Sequence, residues 1–260
     1  MSVEPVLFEV VDDIATITLN RPANGNTVDM ALARGLLSAA IACDHDSSIR
    51  CVVLTGAGKL FCGGGDLSVF ADLGSDIPMF LSELAGTLHM AVSRLLRMAK
   101  PLLVLVNGPA AGAGLSLALI GDVVVADESA HFTAAYGSVG LSPDGGMSWL
   151  LPRLVGVRRA QDIIISNRRI AAQDAAAMGI VTRVVADLAG DGRAEALKLA
   201  AAPTAAVAQA RALLLESFSS SLETQLERET RSIAAMGGTQ DCREGVIAFA
   251  ERRKPKFSGE

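Results

Sequence analysis

Residues 102–126 read LLVLVNGPAAGAGLSLALIGDVVVA and contain very few polar side chains. A helix that spans a bilayer needs about 20 continuous apolar residues. Here Asn107, Gly108 and Pro109 break the run soon after it begins. The segment therefore reads as a buried strand, a turn, a short helix and a second buried strand. Strands apolar on both faces belong to a parallel sheet covered by helices on both sides. This stretch limits the chain to an α/β fold with a large core.

The neighbouring pattern agrees. VLFEVVDDIATITLNRP has the form of a hairpin turning at Asp12 and Asp13. VDMALARGLLSAAIAC has helical apolar spacing, and IRCVVLTGAG is a strand running into a glycine loop. SELAGTLHMAVSRLLRMAK is a long amphipathic helix that Pro101 stops, and DVVVAD and HFTA are strands. Residues 143–185 alternate loops with short helices, and from about Ala194 onward only helices follow. No repeat or flexible linker divides the chain. A parallel α/β core with a C-terminal helical piece results.

With 260 residues and 50% hydrophobic content, one large domain plus a helical appendage is expected. The net charge is −5 and no basic stripe is present, which argues against nucleic-acid binding. Arg252, Arg253, Lys254 and Lys256 form the one basic cluster, read as a solvated tail or as a contact for phosphates. Cysteines 43, 51, 62 and 242 form no Cys-x-x-Cys pair and have no histidine at metal-ligand spacing. They read as reduced thiols of a cytoplasmic protein with no metal site. The start MSVEPVLFEV is acidic and strand-like, and no signal peptide is expected from it.

Three glycine loops carry the functional signal. TGAGKLFCGGGDL (55–67) lacks the phosphate-binding Gly-Lys-Ser/Thr pattern. NGPAAGAGLSLAL (107–119) has Leu117 where a dinucleotide loop needs its third glycine. The third is GLSPDGG (140–146). Each can be a simple turn. Glycines also expose backbone N–H groups, and two such loops facing one point can bind a developing oxyanion.

These loops resemble, in order and spacing, those of the crotonase family, the enoyl-CoA hydratases and isomerases. The similar stretches are ITLNRPANGNTVDM (17–30), CVVLTGAGKLFCGGGDL (51–67), residues 100–126, HFTAAYGSVGLSPDGGMSWLLPRLVG (131–156), AAQDAAAMGIVTRVV (171–185) and the ending ERRKPKFSG. The resemblance implies a spiral of β-β-α turns over residues 1–195. It also implies a helical trimerisation or lid region over 196–260. It implies acyl-CoA thioester substrates, no cofactor beyond the coenzyme A of the substrate, and a homotrimer or dimer of trimers. By position, the family's two oxyanion-hole amides fall on Gly65 and Ala113. Ala23, Asn24, Asn26, Gly63, Gly64, Asp66 and Leu67 fall near the coenzyme A moiety. Asp66 at this place is expected to brace its loop rather than to catalyse.

The sequence departs from the hydratases at two positions. Where they carry water-activating glutamates, this chain has Ser116 and Tyr136. Hydration needs a base for the water and an acid for the α-carbon, so a hydratase is not expected. Asp144 is the one acidic residue between Glu128 and Asp162. Similar Pro-Asp loops occur in enoyl-CoA and ring-epoxide phenylacetyl-CoA isomerases, with the Asp as proton shuttle. They also occur in 4-chlorobenzoyl-CoA dehalogenases, with the Asp as nucleophile. A plain helix cap is the remaining reading. His89 stands twelve residues before Pro101, as a dehalogenase general base does, or it is structural. His45 reads as solvated and His131 as structural. YGSVG lacks the first glycine of a hydrolase elbow. An isomerase using Asp144 is expected first. A haloaroyl-CoA dehalogenase using Asp144 and His89, or a non-catalytic acyl-CoA binder, are the alternatives.

Overall fold

The computed structural model describes residues 4–259. β1 (Val6–Val11) and β2 (Ile14–Leu19) form the expected hairpin, with Asp12 and Asp13 at φ 51° and 62°. Two left-handed residues are what a tight two-residue hairpin turn requires. Then come α1 (Met30–His45), β3 (Cys51–Gly56), α2 (Leu67–Ala71), α3 (Ile77–Arg97) and β4 (Leu102–Val106). They are followed by β5 (Ala110–Ala111), α4 (Ala113–Ala118), β6 (Val123–Asp127) and β7 (His131–Thr133). The last third holds α5 (Met147–Val155), α6 (Val157–Ser166), β8 (Ile170–Ala171), α7 (Ala172–Met178), β9 (Arg183–Val185) and α8 (Leu188–Ala200). Three further helices close the chain: α9 (Thr204–Ser217), α10 (Leu222–Gly237) and α11 (Gln240–Ala250).

The main sheet has the order β1-β2-β3-β4-β6-β9, parallel except for the first hairpin. A smaller sheet, β5-β7-β8, pairs β5 with β7 in parallel and β7 with β8 antiparallel. Alternate residues of each central strand serve different cores. Val52, Leu54, Leu102 and Val104 join Leu36 of α1 and Leu88 and Leu95 of α3 in the larger core. Cys51, Val53, Leu103 and Val125 face Ala196 and Ala200 of α8. This two-sided burial is why CVVL and LLVLV are apolar throughout.

Three details differ from the sequence reading. Residues 143–185, read as loops alternating with short helices, also hold the strands β8 and β9, which at two and three residues are too short to show a periodicity. α3 begins at Ile77, five residues before the expected start at Ser82, and ends at Arg97, ahead of Pro101. The expected division at 195/196 falls inside α8, whose small alanines pack on the sheet. The outer helical region therefore starts with α9. Arg211 of α9 ties that region to the core. It pairs with Asp122 at 2.7 Å and donates to the carbonyls of Leu95 (3.0 Å) and Met98. In the basic tail, Arg253 is engaged by Glu244, whose carboxyl its hydrogen bonds hold down at about 2. Among the described residues, no helix is long and apolar enough to cross a membrane.

Candidate active site

The loop after β3 is fixed from below. Asn26 is fully buried and donates to the carbonyls of Ala57 (2.9 Å) and Leu60 (2.7 Å) while accepting from Arg21 N–H (2.8 Å). The Asp66 carboxylate accepts from Arg21 (2.8 Å) and from the Ser68 hydroxyl (2.6 Å). Burial alone would raise this carboxyl, but the bonds from Ser68 and Arg21 outweigh it and hold it below its ordinary value. Val28 N–H donates to Gly64 O (2.7 Å) and Asp66 N–H donates to Val28 O (3.0 Å). In this parallel bridge the intervening residue, Gly65, turns its own N–H away from Val28.

The loop after β4 lies against the first. A Cβ at Gly114 would meet Cys62 O at 2.1 Å, so only glycine permits this approach. Ala113 opens α4, and a first-turn N–H has no acceptor within its own helix. Gly65 and Ala113 line one cavity of ≈ 370 Å³. Phe70 of α2 and Leu81, Leu84 and Leu88 of α3 form its apolar wall.

Asp144 enters the same cavity from the third loop. Its Oδ1 accepts from Tyr136 OH at 2.6 Å. Tyr136 is pushed well above the usual phenol range by burial and by the neighbouring Asp144 charge, so it stays a neutral donor. The Ser116 hydroxyl lies 2.9 Å from Asp144 O and 3.1 Å from Tyr136 OH. Each hydroxyl has one proton. With that of Tyr136 on the carboxylate, that of Ser116 serves the Asp144 carbonyl. Gly145 has φ +62°, and a Cβ there would strike the Ser116 Cβ at 2.8 Å. The helix-cap reading of Asp144 does not hold: Gly146 precedes α5 and no side chain caps it.

His89 lies behind this loop. Its Nε2 accepts from Gly145 N–H at 3.0 Å and stands 3.6 Å from Asp144 Oδ2. It lines a separate cavity with Arg97, Trp149 and Arg228.

The enoyl-CoA hydratase/isomerase family pattern matches residues 9–260. The Rhodobacter capsulatus protein named "Probable enoyl-CoA hydratase" is 38% identical over the full length of both chains. The 1,2-epoxyphenylacetyl-CoA isomerase of Escherichia coli is 36% identical, covering 98% of this chain and 99% of its own. The crystal structure of enoyl-CoA hydratase from Bacillus anthracis superposes with a TM-score of 0.92 at 30% identity, covering 98% of this chain and 100% of that one. The chain belongs to the enoyl-CoA hydratase/isomerase, or crotonase, family.

Within this crotonase chain, the residues expected near coenzyme A divide into two groups. Ala23 and Asn24 are exposed on a short turn, and Gly63, Gly64 and Leu67 line the cavity. The side chains of Asn26 and Asp66, by contrast, are buried and engaged between the loops, Asn26 with the carbonyls of Ala57 and Leu60 and Asp66 with Arg21 and Ser68, so they brace the loops rather than face the cavity. Ser116 and Tyr136 meet at Asp144, and neither adds a second carboxylate. Tyr136 is one aromatic of the cavity wall. Phe70 is a second, packed edge-on against Phe80 at 5.9 Å. Its signal was the apolar stripe from Leu67 through Leu88, which reads equally as ordinary core. His45 is exposed at the end of α1, and His131 is half-buried, its imidazole lowered by burial and by Arg169.

Proposed function

We propose that this crotonase is an acyl-CoA isomerase that moves a carbon–carbon double bond through a thioester enolate. One observation carries the reading: among the described residues that line the cavity, Asp144 is the only carboxylate. Adding water needs two acid–base groups, whereas moving a double bond needs one that takes a proton and returns it.

The thioester oxygen sits between the N–H groups of Gly65 and Ala113. A C–H bond beside the carbonyl breaks, its proton goes to Asp144 Oδ2, and the electron pair flows onto the oxygen as an enolate. Two fixed donors stabilise that charge where it develops. When the carbonyl re-forms, the electrons enter a conjugated double bond and Asp144 returns the proton to the more distant carbon. Tyr136 keeps Oδ1 engaged, so Oδ2 carries the proton.

A panel of 3-enoyl-CoA and aryl-CoA esters, followed by ultraviolet absorbance and mass spectrometry, tests this. Isomerisation changes absorbance without changing mass. A gain of one water would establish hydration and overturn the reading. The 3.6 Å approach of His89 to Asp144 favours one alternative, substitution on a haloaroyl-CoA. Exchange of chlorine for hydroxyl in the same panel would establish it. The outer helices α9–α11 carry exposed Leu214, Phe218, Ile233 and Phe249. We read this apolar surface as the trimer contact, to be checked by light scattering.

A further inference from the structure

We infer that His89 is a positioning residue for Asp144 that acts through the Gly145 peptide and never meets the substrate. This rests on the reading of Asp144 as the proton shuttle. The Asp144–Gly145 peptide is held at both poles. Its carbonyl accepts from Ser116 at 2.9 Å, and its N–H donates to His89 Nε2 at 3.0 Å. Gly145 and Gly146 lie in the left-handed region, at φ +62° and +86°. A bend of two such glycines has little stiffness of its own, so the two side-chain clips, together with the Met147 N–H that donates to the Asp144 carbonyl at 3.2 Å, set the direction of the peptide. That direction in turn sets where the carboxylate points.

The cavities separate the roles. Asp144 lines the cavity that contains Gly65 and Ala113, whereas His89 and Gly145 line the one behind it. An imidazole nitrogen that accepts from an N–H carries no proton, so neutral His89 holds its proton on Nδ1. Nε2 therefore neither donates to Asp144 nor takes a proton from water while the clip is closed. Protonation would remove the acceptor and turn an N–H toward Asp144 Oδ2, opening the clip and tying up the shuttling oxygen. The charged groups facing His89 are Asp144 on the loop, Arg97 on its own helix, Glu216 on α9 and Arg228 on α10.

The test compares H89Q, H89N and H89A with the wild type. Glutamine can place an acceptor oxygen near the position of Nε2, and asparagine falls short. H89Q is expected to keep kcat within about 3-fold, while H89N and H89A lose about 10- to 100-fold with KM unchanged, the cost of a misplaced reacting group. H89A turning over like the wild type overturns the inference. So does H89Q as slow as H89A, which would make His89 an acid–base group. His89 is half exposed, so the variants should fold, and their Tm values check this. Nitrogen-15 spectra of the imidazole report independently of turnover. A bare Nε2 with protonated Nδ1 is expected, and the opposite tautomer overturns the inference even if no enoyl-CoA is isomerised. Failure of the isomerase reading shows separately, as a wild type inactive on the panel.

Discussion

Asp66 and Asp144 are both aspartates set in glycine bends, and both stand beside the same cavity. Their surroundings give them opposite fates. Asp66 is 5% exposed, and Arg21 and Ser68 occupy its oxygens. Asp144 has a side chain 30% exposed, one oxygen held by the neutral Tyr136, and no Lys or Arg ion pair among the described residues. A cation stabilises the ionised form and leaves no reason for a proton to return. A neutral donor orients a carboxylate without cancelling its charge. Identical residue types in similar loops thus become a brace and a candidate base.

The strongest way to break this comparison is to exchange the carboxylates for amides. Asp144→Asn should lower isomerase kcat by about 10²- to 10⁴-fold, the span a positioned acid–base group supplies. Binding of a CoA ester, read as a rise in Tm, should survive. Turnover equal to the wild type would remove Asp144 from the chemistry.

The next largest effect should come from the bend itself. Gly145→Ala forces a Cβ into Ser116 at a residue with φ +62°. Backbone strain of this kind costs about 1–3 kcal/mol. Relief by shifting the loop would move Asp144, so kcat should fall by about 10- to 100-fold. Wild-type kcat with only a lowered Tm would show that the loop tolerates the shift.

Tyr136→Phe keeps the cavity wall and removes the donor to Oδ1. A loss of about 10-fold in kcat is expected, since hydrogen bonds to charged groups contribute about 1.5–3 kcal/mol and Ser116 can re-aim its proton. Unchanged kcat would make Tyr136 a wall and nothing more.

The division between brace and base was only partly readable from the sequence. The apolar strands, the hairpin at Asp12 and Asp13 and the order of the three loops follow from local chemistry. Each depends on residues close together in the chain. Asp144 stood out because no other acidic residue lies near it in sequence. The saturation of Asp66 and Asn26 was different, because it depends on Arg21 and on carbonyls 31 and 34 residues away from Asn26. The clip from His89 to Gly145 spans 56 residues. No periodicity records such pairings, so His89 could be noticed as a histidine but not assigned a partner.

Asp66→Asn should have the smallest effect on turnover and a clear effect on stability. Removing one partner of a buried ion pair costs about 3–5 kcal/mol. Arg21 keeps Asp29 at 3.2 Å and the Thr27 carbonyl at 2.5 Å, which places the loss at the lower end, about 3 kcal/mol. The effect should depend on pH in one direction. The Asp66 carboxyl is held below its ordinary value of 3.8 in the folded chain. Its contribution is therefore complete above roughly pH 4, near the unfolded value, and disappears as pH falls through the lowered folded value. The Tm difference between wild type and Asp66→Asn should be constant from pH 7 to about 5 and shrink toward pH 3. Meanwhile kcat at pH 7 should stay within about 2-fold, because the carboxylate touches the loop and not the cavity. A large loss of kcat with an unchanged Tm would reverse the assignment and make Asp66, not Asp144, the carboxylate that the reaction uses.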